Sequence, residues 1–383
     1  MMLRPLRFLT LAGALACGAS LPFSAGAQSA TALKLPAGFT AERIATVGGA
    51  RELAVAPNGD LIVGTLGNTI SIVADAQGTP AAPRTFATFD DRPVASVAFA
   101  GDALYAGGQF GVYRLPYRTG DRAARERPEK VAPVRTSGQS RDHRTTTVAL
   151  SRGVLYAGVG SSCNACDPEL DATRATVLAM TPEGKNVRVR AADIRNAIAL
   201  AVDASGGVWA GVAGRDDLEH GHPYEIFDEI TAHGGSPDYG WLHCYDDRKP
   251  IGGAPCANAV VPKVVFPAYA TPIGATFYPS NGSGRYAFPP AYRGGAFVTL
   301  HGSWHVPPVA PRVAFVPFKG SEPARAVDWN NPDAQWTEFA GGCQLPDGSR
   351  PCRPAGVAVG TDGSLFVSDD ETGAIYRIRP SGR

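Results

Sequence analysis

The chain has 383 residues, of which 44% are hydrophobic, and 36 Lys and Arg balance 35 Asp and Glu for a formal net charge of +1. So much apolar residue with so little net charge excludes a disordered chain. The 45 Gly and 32 Pro show no Gly-X-Y period, which excludes a collagen-like rod and predicts many turns. A balanced charge provides no field that attracts a polyanion, so no nucleic-acid partner is expected.

The N-terminal residues 1–27 have the pattern of a cleaved secretory signal. Arg4 and Arg7 precede a short apolar run, no acidic residue occurs, and small residues lead up to Ala27. We predict a periplasmic or secreted protein whose single domain covers residues 28–383; lipoprotein processing at Cys17 is the less favoured alternative. No later segment reaches the roughly 18 apolar residues of a membrane helix, so no membrane span is expected.

Six cysteines follow the signal and form three close pairs in the sequence. An even number of cysteines in an exported chain favours disulfides over free thiols. The alternative for the first pair is a metal or redox site, but Asp167 rather than His follows it, which excludes haem attachment, and a zinc ribbon would need a second CxxC. We predict three disulfides: Cys163–Cys166, Cys244–Cys256 and Cys343–Cys352.

One short pattern recurs along the rest of the chain: an apolar strand, a turn with Gly or Asp, and a second apolar strand. Equivalent positions in successive copies lie 43 to 89 residues apart, and the longest interval holds an insertion at 214–270. Six copies are recognisable, at 53–63, 94–107, 147–160, 198–211, 273–299 and 355–368.

Repeats of this length, built from short strands with turns between them, are typical of a β-propeller. We therefore predict an all-β fold and a six-bladed β-propeller. A pair of packed β-sheets, as in a β-sandwich, also accommodates short strands but does not explain six similar units. Because propellers carry enzymes, lectins and interaction platforms alike, the function must come from residues at the mouth of the central tunnel.

Polar residues precede the inner strands of the third and fourth copies. His143 is followed by Arg144, and a histidine at this place is a candidate general base, because neighbouring cations lower its pKa and keep it neutral. The alternative is a solvated loop histidine. Arg195 and Asn196 begin the fourth copy and offer a planar cation and an amide to a carboxylate or a developing oxyanion.

Further candidates occur in the later loops. The acidic segment with Asp216, Asp217 and Asp228 suits a hard cation such as Ca²⁺, although it lacks EF-hand spacing. Cations at the same end of several repeats predict an anionic ligand at the tunnel mouth. The remaining candidates for ligand contact are His301, Trp304, Arg312 and Arg353.

The segments RDHRTTTVAL, DIRNAIALAVD, YRGGAFVTLHGSW and RPAGVAVGTDGSLFVSDDETGAIYRI together resemble the glucose/sorbosone dehydrogenase family, and most closely its sorbosone branch. The resemblance extends over about residues 35–380. It implies a six-bladed propeller that uses pyrroloquinoline quinone (PQQ) and Ca²⁺. It also implies an exported enzyme that oxidises a sugar, aldehyde or alcohol and passes electrons to a quinone or a cytochrome-type acceptor.

The resemblance also implies roles for individual residues. His143 would take the hydroxyl proton, Arg195 would stabilise the oxygen of the reduced quinone, and Asn196 would touch the cofactor. The calcium would lie in the loop with Asp216, Asp217 and Asp228, held largely by backbone carbonyls. Further cofactor contacts are expected from Arg144, His301, Trp304, Arg312 and Arg353.

Two other functions stay open at this point. A propeller lactonase or other metal hydrolase would place a metal on carboxylates that face the tunnel, such as Glu52 and Asp216. A non-catalytic propeller that binds carbohydrate or a partner would not depend on His143. PQQ restores activity only in the dehydrogenase, which separates it from both alternatives.

Overall fold

Short β-strands make up nearly all of the regular structure. The computed structural model describes residues 33–136 and 142–382. The predicted signal at 1–27, with Cys17, lies outside the described residues. No helix in the described part of the chain is long and apolar enough to cross a membrane.

The described residues contain 28 strands and two 3-10 helices, the latter at Pro290–Tyr292 and Pro332–Gln335. The strands of the first half are β1 (Phe39–Thr46), β2 (Ala50–Val55), β3 (Leu61–Thr65), β4 (Thr69–Val73), β5 (Arg84–Thr88), β6 (Val94–Ala100), β7 (Ala103–Gly108), β8 (Gly111–Pro116), β9 (Glu129–Pro133), β10 (Thr146–Ser151), β11 (Val154–Val159), β12 (Thr176–Met180), β13 (Arg188–Ala191) and β14 (Ala197–Val202). Those of the second half are β15 (Val208–Val212), β16 (Glu225–Glu229), β17 (Cys244–Tyr245), β18 (Lys249–Pro250), β19 (Val264–Phe266), β20 (Pro272–Phe277), β21 (Ala296–Leu300), β22 (Arg312–Val316), β23 (Phe318–Lys319), β24 (Glu322–Pro323), β25 (Thr337–Ala340), β26 (Pro354–Val359), β27 (Leu365–Asp369) and β28 (Ala374–Pro380).

The strands form antiparallel sheets of a repeated kind. Four sheets have four strands each: β10 to β13, β14-β15-β16-β19, β20-β21-β22-β25, and β26 to β28 with β1 on the outer edge. β1 pairs with β28, so the N-terminal strand completes the sheet of the C-terminal strands. The sets β2 to β5 and β6 to β9 form one eight-stranded sheet. A single pair of hydrogen-bonded strand residues, Thr65 and Val94, connects the two sets.

The first strands of these sets form a closed ring. β2, β6, β10, β14, β20 and β26 each contact the next in this order, and β26 contacts β2. The all-β class is thus confirmed, and the ring is that of a propeller-like fold rather than of two stacked sheets. Each predicted repeat corresponds to the first two strands of one set. Loops that precede the first strands and follow the second strands share one end of the ring, which we call the upper end.

The second strand of a set carries glycine or a small residue where it approaches the first strand of the neighbouring set closely. A Cβ atom on Gly158 would overlap the carbonyl oxygen of Ala197 in the next inner strand. At the corresponding place near the ring closure, the Ser368 hydroxyl donates to the carbonyl oxygen of Arg51 at 2.6 Å. Glycine or a small hydroxyl residue is needed there because the strands of adjacent sets nearly touch.

The core lies between adjacent sheets, where the alternate residues of each strand pack. Its largest fully buried side chains are aromatic, and Trp209 and Phe227 pack with their ring centroids 5.1 Å apart and their planes tilted by 34°. All three predicted disulfides are present: Cys163–Cys166, Cys244–Cys256 and Cys343–Cys352. Each closes a short loop between strands of the ring, with 3, 12 and 9 residues of sequence separation.

Candidate functional site

His143 lies in the loop before β10 at the upper end, half-buried and with a φ of 44°. Its Nδ1 is 3.0 Å from the carbonyl oxygen of Ser161 and 3.1 Å from the Ser161 hydroxyl. That hydroxyl donates to the carbonyl oxygen of Cys163 at 2.6 Å, so both Ser161 oxygens act as acceptors toward the imidazole. The proton of a neutral His143 therefore resides on Nδ1, which leaves the lone pair on Nε2.

Two buried arginines hold the loop that carries His143. Arg135 donates to the His143 carbonyl oxygen at 2.6 Å, and Arg174 donates to the carbonyl oxygens of Asp142 at 2.8 Å and Ser161 at 2.5 Å. Neither arginine was a candidate from the sequence, because nothing in the local pattern distinguishes a buried arginine from a solvated one. They fix the backbone of the loop and place positive charge beside the imidazole.

Burial first, and then the charges of Arg195, Arg174 and Arg135, together lower the pKa of His143 to about 3, against a smaller opposing effect of its hydrogen bond to Ser161. Desolvation and nearby cations both disfavour the imidazolium form. The side chain is therefore neutral over the physiological pH range, as a general base requires.

We expect Gly160→Ala to displace His143. A Cβ atom on Gly160 would overlap the His143 side chain on one side and the Asn196 amide on the other. Overpacking of this kind costs about 1–3 kcal/mol of stability. Thermal unfolding of this variant should show that loss, whereas Gly234→Ala, where a Cβ atom meets no neighbour within 4 Å, should unfold like the wild type. Equal stability of the two variants would contradict the close approach.

Arg195 precedes β14 and is buried beside His143. Its Nε and one terminal nitrogen donate to the backbone and side-chain oxygens of Asn164, at 3.1 and 2.8 Å. The guanidinium also donates to the Ala213 carbonyl oxygen at 3.3 Å and pairs with Asp216 at 3.1 Å. Burial lowers the pKa of Arg195, and the carboxylate of Asp216 opposes that shift.

Asn164 connects the CxxC disulfide to this arginine. It lies between Cys163 and Cys166, and its carbonyl oxygen also accepts a hydrogen bond from the Trp241 indole at 2.8 Å. The disulfide thus orients Arg195 through the residue that it encloses, a role that the sequence did not indicate. The cysteine spacing is the one signal that marked this segment.

Asn196 follows Arg195 and is buried. Its carbonyl oxygen accepts a hydrogen bond from Ala213 at 3.1 Å, which begins the pairing of β14 with β15. The side-chain oxygen Oδ1 is buried without a hydrogen-bond partner in the described residues. A buried polar atom of this kind is costly unless a ligand or water satisfies it.

A second group of charged side chains occupies the upper end at β26 and β2. Asp370 accepts hydrogen bonds from the Nε2 of His301 at 2.9 and 3.0 Å, and its Oδ2 pairs with Arg51 at 3.0 Å. Arg353 donates to the His301 carbonyl oxygen at 3.2 Å. Burial lowers the pKa of His301 to about 4, so this imidazole is neutral too.

The two groups face each other across the tunnel mouth. His143 and Arg195 precede β10 and β14, whereas Arg353 precedes β26 and Arg51 is the second residue of β2; in the ring, β26 and β2 lie opposite β10 and β14. Arg51 was not predicted, and its Nε is buried without a partner in the described residues. No sequence pattern distinguishes Arg51, because it lies inside a strand rather than in a loop.

Three residues that the sequence predicted to contact the cofactor do not join these two groups of charged side chains. Arg144 is exposed. Arg312 pairs with Glu338 of the outermost strand of its sheet at 3.1 Å, which points its charge away from the tunnel. Trp304 is 62% exposed, and the guanidinium of Arg350 covers one face of its ring at 3.5 Å.

The predicted calcium carboxylates do not form one site. Asp216 pairs with Arg195, and Asp217 pairs with Arg215 at 2.6 Å. Asp228 is fully buried elsewhere and accepts hydrogen bonds from the Tyr239 hydroxyl at 2.6 Å and from a backbone N–H. Within 33–136 and 142–382, no group of three His, Cys, Asp or Glu side chains could hold a metal ion. These side chains therefore do not fit calcium as a group, because they do not converge on one point and most of their oxygens accept from protein donors.

Glu52 faces the central tunnel, which has a volume of about 280 Å³ and is lined mainly by small apolar residues. Burial raises the pKa of Glu52 to about 8, against a smaller opposing effect of Arg51. The carboxyl group is thus mostly protonated at neutral pH. Asp216, the other carboxylate named for a hydrolase metal, is paired with Arg195, and neither belongs to a group of three possible metal ligands in the described residues.

Comparison with protein families matches residues 228–381 to the family described as TrAA12-like. An uncharacterized protein of Borreliella burgdorferi is 24% identical over 251 residues, which are 64% of this chain and 62% of that protein. The chain therefore spans less than two thirds of the length of this relative.

Several solved structures share the fold. The holo PQQ domain of pyranose dehydrogenase from Coprinopsis cinerea has a TM-score of 0.77 and 19% identity, over 92% of this chain and 98% of that one. An AA12 carbohydrate-active enzyme of Trichoderma reesei has a TM-score of 0.77 and 20% identity, over 94% and 100%. A PQQ-bound aldose sugar dehydrogenase of Streptomyces coelicolor has a TM-score of 0.60 and 17% identity, over 90% and 99%.

These likenesses confirm the resemblance to soluble glucose and aldose dehydrogenases and add the AA12 enzymes to it. At identities below 25% they show the fold. The sorbosone branch stays a prediction.

Proposed function

We propose that this chain is an exported, PQQ-dependent sugar oxidoreductase with His143 as its general base. The observation that carries the proposal is the environment of His143: a neutral imidazole, protonated on Nδ1 by its contact with Ser161, presents Nε2 beside the buried Arg195. We further propose that residues 28–383 form one six-bladed propeller domain, in which the eight-stranded sheet counts as two blades that share one residue pair.

The residues at the tunnel mouth fit PQQ. The cofactor carries three carboxylates, and arginines bind carboxylates through planar, charge-assisted hydrogen bonds. Arg195 on one side and Arg51 and Arg353 on the other supply such donors. The buried, unpartnered Nε of Arg51 and Oδ1 of Asn196 are polar atoms that a bound ligand would satisfy. The related structures include a holo PQQ domain of pyranose dehydrogenase and a PQQ-bound aldose sugar dehydrogenase, which supports the same assignment.

The chain's own residues perform the proton chemistry and the positioning. When bound, PQQ supplies the two-electron acceptor. Nε2 of His143 accepts the proton of the sugar hydroxyl while Nδ1 stays bonded to Ser161. Asn164 and Asp216 orient Arg195, whose guanidinium stabilises the negative charge that develops beside the imidazole. Arg135 and Arg174 keep the loop in place during the reaction.

We also propose that the protein is exported, uses Ca²⁺ and passes electrons to a quinone or a cytochrome-type acceptor. A calcium structure of a Trichoderma reesei AA12 enzyme supports the metal, and backbone carbonyls rather than the side chains of Asp216, Asp217 and Asp228 would hold it. The three disulfides agree with an oxidising compartment outside the cytoplasm.

The test is a titration of the purified protein with PQQ, with and without Ca²⁺, followed by dye reduction with a panel of aldoses, sorbosone and simple alcohols. Saturable PQQ binding and sugar-dependent dye reduction are expected. EDTA treatment followed by Ca²⁺ addition measures the calcium dependence separately. Absence of PQQ binding at micromolar concentrations would overturn the proposal.

We predict that His143 does not titrate between pH 5 and pH 8 in the cofactor-free protein. Burial and the nearby arginines hold its pKa near 3, so the proton is taken up only well below pH 5. A proton NMR titration should show one imidazole resonance fixed at the neutral position across this range, and His143→Gln should remove that resonance. A midpoint near 6.5, as for a solvated histidine, would contradict the buried environment.

A further inference from the structure

A second cavity lies on the flank of Arg195, under the segment closed by the Cys244–Cys256 disulfide. It has a volume of about 70 Å³, and neither His143 nor Asn196 lines it. A cavity needs about 10–15 Å³ on this scale to hold one water, so this one has room for roughly five waters. That is the space of one six-membered ring with small substituents.

The aromatic residues of the cavity direct their polar atoms elsewhere. The Tyr239 hydroxyl donates to Asp228 at 2.6 Å, the Tyr245 hydroxyl to Glu219 at 2.6 Å, and the Trp241 indole to the carbonyl oxygen of Asn164 at 2.8 Å. What they offer to the cavity is therefore ring surface. A sugar, which needs many polar partners, fits such walls less well than a planar aromatic molecule does.

Most of the charges around the cavity are already paired. Arg195 is held by Asn164 and Asp216, Arg215 by Asp217, and Asp246 accepts the His222 imidazole at 2.5 Å. Burial and the neighbouring carboxylate of Asp238 raise the pKa of Asp193, the other acid of the lining, toward the neutral form. The carboxylates around the cavity are therefore unavailable to a cation, so the cavity favours a neutral or anionic guest.

Two hydrogen-bond donors remain for such a guest. The Tyr224 hydroxyl makes no hydrogen bond to any described residue, and Arg248 uses its Nε for the Ala259 carbonyl oxygen at 2.8 Å, which leaves its terminal nitrogens. Both line the cavity. These groups can donate hydrogen bonds to the oxygen of a phenol or quinone, and the surrounding aromatic side chains can pack against its planar ring.

We propose that this cavity binds a small phenol or quinone. Its role as the electron-acceptor site rests on the proposed function: sugar and quinone would yield carbonyl product and hydroquinone, so that the two electrons and two protons removed from the sugar end on the quinone. Contact with Arg195 places the guest next to the oxidising site.

The test begins with calorimetric titration of the cofactor-free protein with hydroquinone, which does not react with thiols or amines as quinones do. A dissociation constant on the order of 0.1–1 mM is expected for so small a ligand. Val260→Phe, which fills the cavity, should weaken binding at least tenfold, and Tyr224→Phe severalfold; Val306→Phe, at a 90% exposed site elsewhere, should leave it unchanged. Tetramethylhydroquinone should not bind, because it exceeds the cavity.

No heat of binding, or equal binding to wild type and Val260→Phe, would overturn the binding site. The acceptor role is measured on the PQQ-loaded enzyme: Val260→Phe should slow benzoquinone reduction at least tenfold and leave reduction of a bulky dye unchanged. Equal benzoquinone rates would overturn that role. If the protein does not take up PQQ, the proposed function fails, while the hydroquinone titration still decides the cavity.

Discussion

His143→Ala should lower kcat for sugar oxidation by about 10²–10⁴-fold, the usual effect of removing a positioned general base. PQQ affinity should change little, because the cations that bind the carboxylates remain. The physical reason is the fixed tautomer: Ser161 holds the Nδ1 proton, so no other group nearby offers a neutral nitrogen lone pair in the place of Nε2. Steady-state dye reduction and a PQQ titration of the same preparation measure the two effects.

The matched control is His233→Ala. His233 follows β16 at the end of the ring opposite to His143 and contacts Asp228 at 3.2 Å, so its loss removes an imidazole without touching the tunnel mouth. Wild-type turnover is expected for this variant. Should His143→Ala retain more than about a tenth of the wild-type kcat, the role of general base would have to be given up.

Arg195→Lys should reduce turnover by about 10²–10³-fold, as expected when one preorganised donor to a developing negative charge is removed. Lysine keeps the charge but cannot donate at once to both oxygens of Asn164 and to Asp216, which the planar guanidinium does. PQQ affinity should fall as well, because the ammonium group leaves the Asn164 oxygens unsatisfied and shifts position. Dye reduction at saturating PQQ separates the loss of turnover from the loss of affinity.

Arg190→Lys serves as the control for this substitution. The guanidinium of Arg190 likewise donates two hydrogen bonds, to the carbonyl oxygens of His233 and Gly235. Arg190 lies on the outer strand β13, away from the tunnel mouth. Its replacement should affect stability slightly and turnover not at all. Similar kinetic losses in both variants would show that the effect of Arg195 is structural.

The sequence alone established the repeat and its consequences. Short alternating strands with Gly and Asp turns can bury their apolar faces only against neighbouring copies, so the all-β ring follows from local pattern. The three disulfides follow from close spacing, because short loops limit the choice of partner. His143, Arg195 and Asn196 were recognisable because they stand directly before inner strands, whose starts all meet at one end of the ring.

Other features depended on the tertiary structure. Arg51, Arg135, Arg174 and Asp370 come from four different sets of strands, and only the closed ring brings them beside the two imidazoles. The pairing of Arg312 with Glu338 depends on side-chain direction within a sheet, and the exposure of Trp304 depends on the path of its loop; the residue type reveals neither. The pKa values of His143 and Glu52 likewise arise from burial by distant parts of the chain, which no local sequence window contains.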